Sequence, residues 1–203
     1  MNNELRKIFE IRYNSNSAGP PSPLEYFQWP DKILSLFLKW NIKSFFDSGC
    51  RNRDWIQYNS FAENGIRYIG GDISESMVEF CRIKSPDLEI LHHDTTTDPF
   101  PDVDLIFSSD VLIHLKNSDK LRFLQNFKNS NAKYLLMTNS DRGVENTDFV
   151  YDESKFPMAH VTWFASPWNF PKEVDSIDDG TGDSRLRLWT KEQLVPIIDI
   201  IQL

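Results

Sequence analysis

The chain has 203 residues, 40% hydrophobic and 26% charged, enough for one domain with a sizeable core and a small lid. Thirty Asp and Glu against 22 Lys and Arg leave a formal net charge of −8, which argues against a general nucleic-acid binder, because neutralising phosphates needs clustered cations. The two cysteines, Cys50 and Cys81, form no CxxC or CxxH pattern, so no structural zinc site or other metal is expected. The polar amino terminus lacks the apolar core of a signal peptide, and no run approaches the ~20 apolar residues of a membrane span, so the expected setting is soluble and cytoplasmic.

Leu5, Ile8 and Phe9 recur at helical spacing, which predicts a helix over residues 1–13. Three prolines and a glycine between Asn14 and Pro23 exclude a helix there. Residues 1–30 are thus expected to form an N-terminal helix and lid, with Tyr13, Ser17 and Gly19 either lining a cleft or lying in a solvated linker. Asp31 is expected to cap a helix carrying Ile33, Leu34, Phe37 and Leu38. Ile42–Phe46 is a short apolar strand, Asp47-Ser-Gly-Cys its turn, and Asp54–Phe61 opens the next helix. Ile66–Ile69 is the second strand, ending at Gly70-Gly71-Asp72. Ser74 then caps a helix with Met77, Val78 and Cys81 on one face, closed by Pro86. Leu88–Leu91 and residues 102–109 are the third and fourth strands. Leu121, Leu124 and Phe127 mark another amphipathic helix, and Tyr134–Thr138 the fifth strand.

Residues 139–182 read as an elaborated cap over the strand ends. Their aromatics (Phe149, Tyr151, Phe156, Trp163, Phe164, Trp168, Phe170) suit a substrate pocket or a small satellite core equally well. Asp175, Asp178, Asp179 and Asp183 read as a solvated acidic loop. Ser184–Trp189 is a late strand, and Thr190-Lys-Glu-Gln193 has capping-box spacing for a last helix. Alternating strands and helices with short links predict an α/β, doubly wound, mostly parallel seven-stranded sheet with helices on both faces, spanning 1–203 as one domain.

Asp47-x-Gly49-Cys50 follows the first strand. An acid ends the second (Gly71-Asp72-Ile73) and another the third (His93-Asp94), and Asp110-Val-Leu-Ile-His-Leu115 follows the fourth. This pattern resembles class I S-adenosylmethionine-dependent methyltransferases, whose sheet is of the Rossmann-like type. Asn146-Thr-Asp148, Asn169-Phe-Pro171 and Leu186-x-Leu-Trp189 resemble a bacterial-type subgroup acting on small molecules or sugars. The resemblance implies methyl transfer from S-adenosylmethionine to O or N of a small-molecule or glycan acceptor, without metal. It implies that Asp47 lies near the methionine amino group, with Gly49 and Cys50 in the cofactor loop. Asp72, beside Ile73, accepts from the ribose hydroxyls, and Asp94, with Thr95, takes the adenine amino group. Asp110 and Val111 sit against the methyl-donor end, and Trp55 closes the pocket wall. His114 is the first candidate for a catalytic base; a histidine on such an apolar phrase is more often packed and hydrogen-bonded, and Asp110 and Asp148 are remoter candidates. Neighbours on a strand face opposite ways, so His92 and His93 do not share a metal. Arg51 and Arg53 depart from the family's glycine-rich loop. That departure supports a second reading, a catalytically inactive methyltransferase-fold protein that binds or regulates. A nicotinamide dehydrogenase is disfavoured, since its fingerprint needs G-x-G-x-x-G and this loop has one glycine.

Overall fold

The computed structural model describes residues 3–14, 29–51, 58–143, 145–152, 157–178 and 182–202. The elements run α1 (Asn3–Asn14), α2 (Trp29–Lys39), β1 (Ser44–Ser48), α3 (Tyr58–Glu63), β2 (Arg67–Asp72), α4 (Glu75–Lys84), β3 (Glu89–His92) and β4 (Leu105–Ser108). A 3-10 turn (Leu112–His114) leads to α5 (Asn117–Asn129), β5 (Tyr134–Ser140), β6 (Asp175–Asp178), β7 (Ser184–Thr190) and α6 (Lys191–Ile198). The seven strands form one sheet in the order β3-β2-β1-β4-β5-β7-β6. The first five are parallel, and β7 runs antiparallel to both β5 and β6.

Central parallel strands are covered on both faces, so they are near-continuous apolar runs. One layer holds α2, α3 and α4 against Phe45, Leu105 and Phe107 through Ile33, Phe37, Phe61, Val78 and Cys81. The other holds α5 and α6 against Phe46, Ile106 and Leu135 through Phe123, Phe127, Leu194 and Ile198. Ser74 caps α4 by accepting from Met77 N at 3.2 Å, and Thr190 opens α6 with a complete capping box.

Several boundaries differ from the sequence expectation. Asp31 lies inside the first turn of α2, which begins at Trp29, so it favours the helix by charge near the positive end and not as its cap. The first two strands run on through Ser48 and Asp72, so their polar last residues belong to the sheet. Asp175–Asp178 is not a solvated loop but the edge strand β6. Asp175 accepts from Lys39 Nζ at 2.7 Å and Trp40 Nε1 at 2.8 Å. Acids along an edge discourage pairing with another chain, which explains their place here. Of the cap aromatics, Trp163, Trp168 and Phe170 join the core with Trp189, resolving the choice for those three toward packing. Phe156, Asp179, Ser17, Gly19 and the helix start at Asp54 lie outside the described residues.

Candidate cofactor site

The strand order reverses between β1 and β4, and ligands in open α/β sheets bind at the carboxyl ends of such strands. Asp47, Ser48 and Gly49 leave β1 there. Gly49 takes φ +79, and a Cβ on it would stand 2.3 Å from Val111 Cγ2, so glycine both makes the turn and admits the loop after β4. Gly49 N and Cys50 N both donate to Gly71 O, at 2.8 and 2.9 Å, which ties this turn to the end of β2.

Asp72 lies at that junction, 3% exposed. Its Oδ2 accepts from Arg51 N at 3.1 Å and its Oδ1 from Ser74 N at 3.0 Å. Burial raises its pKa to about 6, against the lowering from those two N–H groups and the Arg51 charge; the Glu10 charge adds to the rise. A carboxylate offers roughly four acceptor positions, so two N–H donors leave capacity for a diol. The residues present therefore fit a nucleoside ribose.

Asp47 is buried and accepts from Tyr68 Oη at 3.2 Å. The Cys50 thiol is pushed well up, first by its hydrogen bond with Cys81, then by burial and by the charges of Asp72 and Asp47, so it stays protonated. Cys81 Sγ in turn donates to Arg51 O at 2.8 Å. Arg51 itself has φ +47 and an exposed side chain. The position does require the left-handed backbone that glycine adopts without strain. Arg53 and Trp55 lie outside the described residues.

Asp94 is fully buried, and its Oδ1 accepts from Thr96 N at 3.0 Å and Thr96 Oγ1 at 2.7 Å, the pattern of a turn-forming acid. Thr95 Oγ1 accepts from Ser48 Oγ at 2.9 Å, linking the ends of β1 and β3. Ile73, half-buried, accepts at its carbonyl from His92 Nε2 at 3.0 Å, while His93 Nε2 meets Pro99 O at 3.3 Å. Among the described residues no three His, Cys, Asp or Glu side chains gather as a metal ion would need.

Asp110, half-buried with φ +55, donates its N–H to Thr138 Oγ1 at 3.0 Å. Ser108 Oγ, at the end of β4, is buried without a hydrogen-bond partner among the described residues. His114 packs edge-on to Phe9, with ring centroids 5.8 Å apart, and its Nδ1 lies 2.5 Å from Pro157 O. A carbonyl only accepts, so Nδ1 carries a proton, and in the neutral tautomer Nε2 is the acceptor nitrogen. Asp148 Oδ1 accepts from Asn117 N at 3.0 Å and so caps α5. Asn146 braces the cap through Thr162 and Ser166.

The sequence reading passed over Tyr68, Ser48 and Glu10. Glu10 of α1 accepts from Glu75 N at 2.6 Å and Ser76 Oγ at 2.8 Å at the start of α4. Tyr68 left a signal: Tyr68, Gly70 and Asp72 alternate onto one face of β2, with a gap at the glycine.

Residues 46–130 match a family model described as a methyltransferase domain. No curated protein matches the chain. Magnesium protoporphyrin IX methyltransferase from Synechocystis PCC 6803, solved with bound SAM, is 14% identical over 92% of this chain and 96% of that one, with a TM-score of 0.63. A Burkholderia thailandensis 1,6-didemethyltoxoflavin-N1-methyltransferase is 12% identical over 93% and 87%, with a TM-score of 0.66. The PH0226 protein from Pyrococcus horikoshii OT3 is 16% identical over 89% and 98%, with a TM-score of 0.61. At these identities the structures establish the fold, a Rossmann-like sheet of the methyltransferase type. The matched segment, the strand order and the acids at the strand ends make residues 46–130 similar to a methyltransferase domain, on a sheet of the class I methyltransferase type.

Proposed function

We propose that this chain transfers a methyl group from S-adenosylmethionine to an oxygen or nitrogen of a small-molecule or glycan acceptor. The observation that carries the reading is the buried Asp72 carboxylate, held by two N–H groups with acceptor capacity to spare, at the reversal of strand order. When bound, the cofactor supplies a methyl group on a sulfonium for in-line displacement. Asp72 receives the ribose hydroxyls, and Asp47 carries the negative charge suited to the cofactor's ammonium. Ile73 and Asp94 with Thr95 line the nucleoside side, and Val111 lies with Asp110 against the methyl-donor end. Asp110 orients the reacting end on its strained backbone, and His114 Nε2 accepts the acceptor's proton where one is released. An open cleft of about 340 Å³ supports a small acceptor. It is lined by Glu4, Thr97, Lys116, Ser118, Asp119, Arg122 and Tyr151, from α1 and the segments that follow β3, β4 and β5.

Calorimetric titration with S-adenosylmethionine and S-adenosylhomocysteine tests the assignment. Saturable binding that disappears in Asp72→Ala is the expected result; no heat at millimolar ligand would overturn it. The second reading, binding or regulation without transfer, rests on Arg51 in the cofactor loop. Binding without turnover of any acceptor, restored by Arg51→Gly, would favour it.

A further inference from the structure

Two of the buried acids of the candidate site, Asp72 and Asp47, are held by different chemistry. Asp72 is fixed by backbone N–H groups, whose positions the fold sets. Asp47 is met by a side chain, the Tyr68 phenol, at 3.2 Å. Registers pair Phe45 with Tyr68 and Asp47 with Gly70, so Tyr68, Gly70 and Asp72 project on the face of the sheet that carries Asp47. Tyr68 sits one pair behind Asp47 and must reach forward along the strand to meet it. Gly70 makes that reach possible: a Cβ there would stand 2.6 Å from Tyr68 Oη, 2.9 Å from Ile90 Cδ1 and 3.2 Å from Cys50 Cβ. The ring is itself fixed, edge-on to Phe45 with centroids 5.2 Å apart, and Tyr68 is 8% exposed.

We propose that Tyr68, admitted by Gly70, is a positioning residue that holds the Asp47 carboxylate in the orientation that receives the ammonium end of the cofactor. The proposal rests on the cofactor reading above. A carboxylate at a strand end has two side-chain torsions, and a phenol donor on one oxygen restrains both. At 3.2 Å the contact is longer than the strongest charge-assisted hydrogen bonds, so its part is to orient the carboxylate. Tyr68 therefore acts on one end of the ligand only. The nucleoside end, gripped by Asp72, does not depend on it.

Two ligands separate the ends. S-adenosylhomocysteine carries the ammonium; 5′-methylthioadenosine keeps the adenosine and sulfur but lacks the amino acid. In Tyr68→Phe, affinity for S-adenosylhomocysteine should fall about tenfold while that for 5′-methylthioadenosine stays within about twofold. In an Asp47→Asn background the same phenol deletion should cost nothing further for either ligand, as double-mutant coupling requires. Gly70→Ala, which keeps the phenol but displaces it, should reproduce the selective loss. Equal loss of both ligands, no loss of either, or an undiminished loss without Asp47 would overturn the Tyr68 role while leaving the cofactor reading intact. Wild-type protein that binds neither ligand would overturn the cofactor reading and this inference together.

Discussion

At the scale of single residues, Asp72 and Arg51 make opposite demands on one turn. The Asp72 carboxyl holds its proton more tightly folded than unfolded, with a pKa raised from 3.8 to about 6 by burial. A raised acid favours the folded state fully below its unfolded value, and that contribution is lost as pH rises through about 6. Ribose hydroxyls donate to the ionised form, so binding must first expel the proton at low pH. Affinity for S-adenosylhomocysteine should therefore climb between about pH 5 and pH 7 and level off above, and Asp72→Asn should flatten the profile. Calorimetry in buffers of differing ionisation heat reads both the slope and the proton released. Arg51 donates its N–H to that carboxylate from φ +47, which for a side chain with a Cβ costs on the order of 1 kcal/mol. Arg51→Gly keeps the N–H and removes the strain, so the thermal midpoint should rise by about 2–4 °C. A fall would mean that the exposed guanidinium contributes more than the backbone costs.

At the scale of elements, α5 carries a buried cation that the site does not use. Lys120 is 2% exposed, and its Nζ donates to Asn117 Oδ1 at 3.1 Å. Burial lowers its pKa from 10.5 to about 8, although Asp148 and Asp119 pull the other way. A depressed lysine binds its proton less tightly folded than unfolded, so its charge costs stability below about 8, and the cost fades as pH climbs toward 10.5. Lys120→Met should thus stabilise the protein by about 1–3 kcal/mol at neutral pH, with a smaller gain near pH 10. Urea unfolding at the two pH values checks both sign and trend. Asp119 keeps Tyr151 Oη at 2.8 Å and Arg122 at 2.9 Å as partners in that variant, so no buried carboxylate is stranded.

At the scale of the whole molecule, what could be read in advance followed from burial. Strands covered on both sides leave apolar runs, and these marked β1 to β5 and β7 in the right order. The ends of β1 and β2 were read short because Asp47, Ser48, Gly71 and Asp72 are polar or small, and those residues line the candidate site. Strand β6 was missed because Asp-Ser-Ile-Asp carries one apolar residue, as suits an edge. Asp47, Gly49 and Asp72 were nominated from the sequence because an acid or a glycine closes two successive apolar runs, and the structure brings those two strand ends together. The Pro157 partner of His114 was not, being 43 residues away, nor was the reach of Tyr68 across Gly70, which depends on register.

Helix α1 gives the fold an order in time. Its 12 residues are too few to hold a helix alone in water. Its anchors are all distant in the chain: Arg6 to Glu75 and Glu10 to Ser76, 69 and 66 residues on, and Phe9 against His114. During folding α1 is therefore among the last elements to find its seat, since the surface that receives Phe9 does not exist until the turn after β4 has been made. A fluorophore placed on α1 would report not the start of folding but its completion, and would turn this helix into a clock for the rest of the sheet.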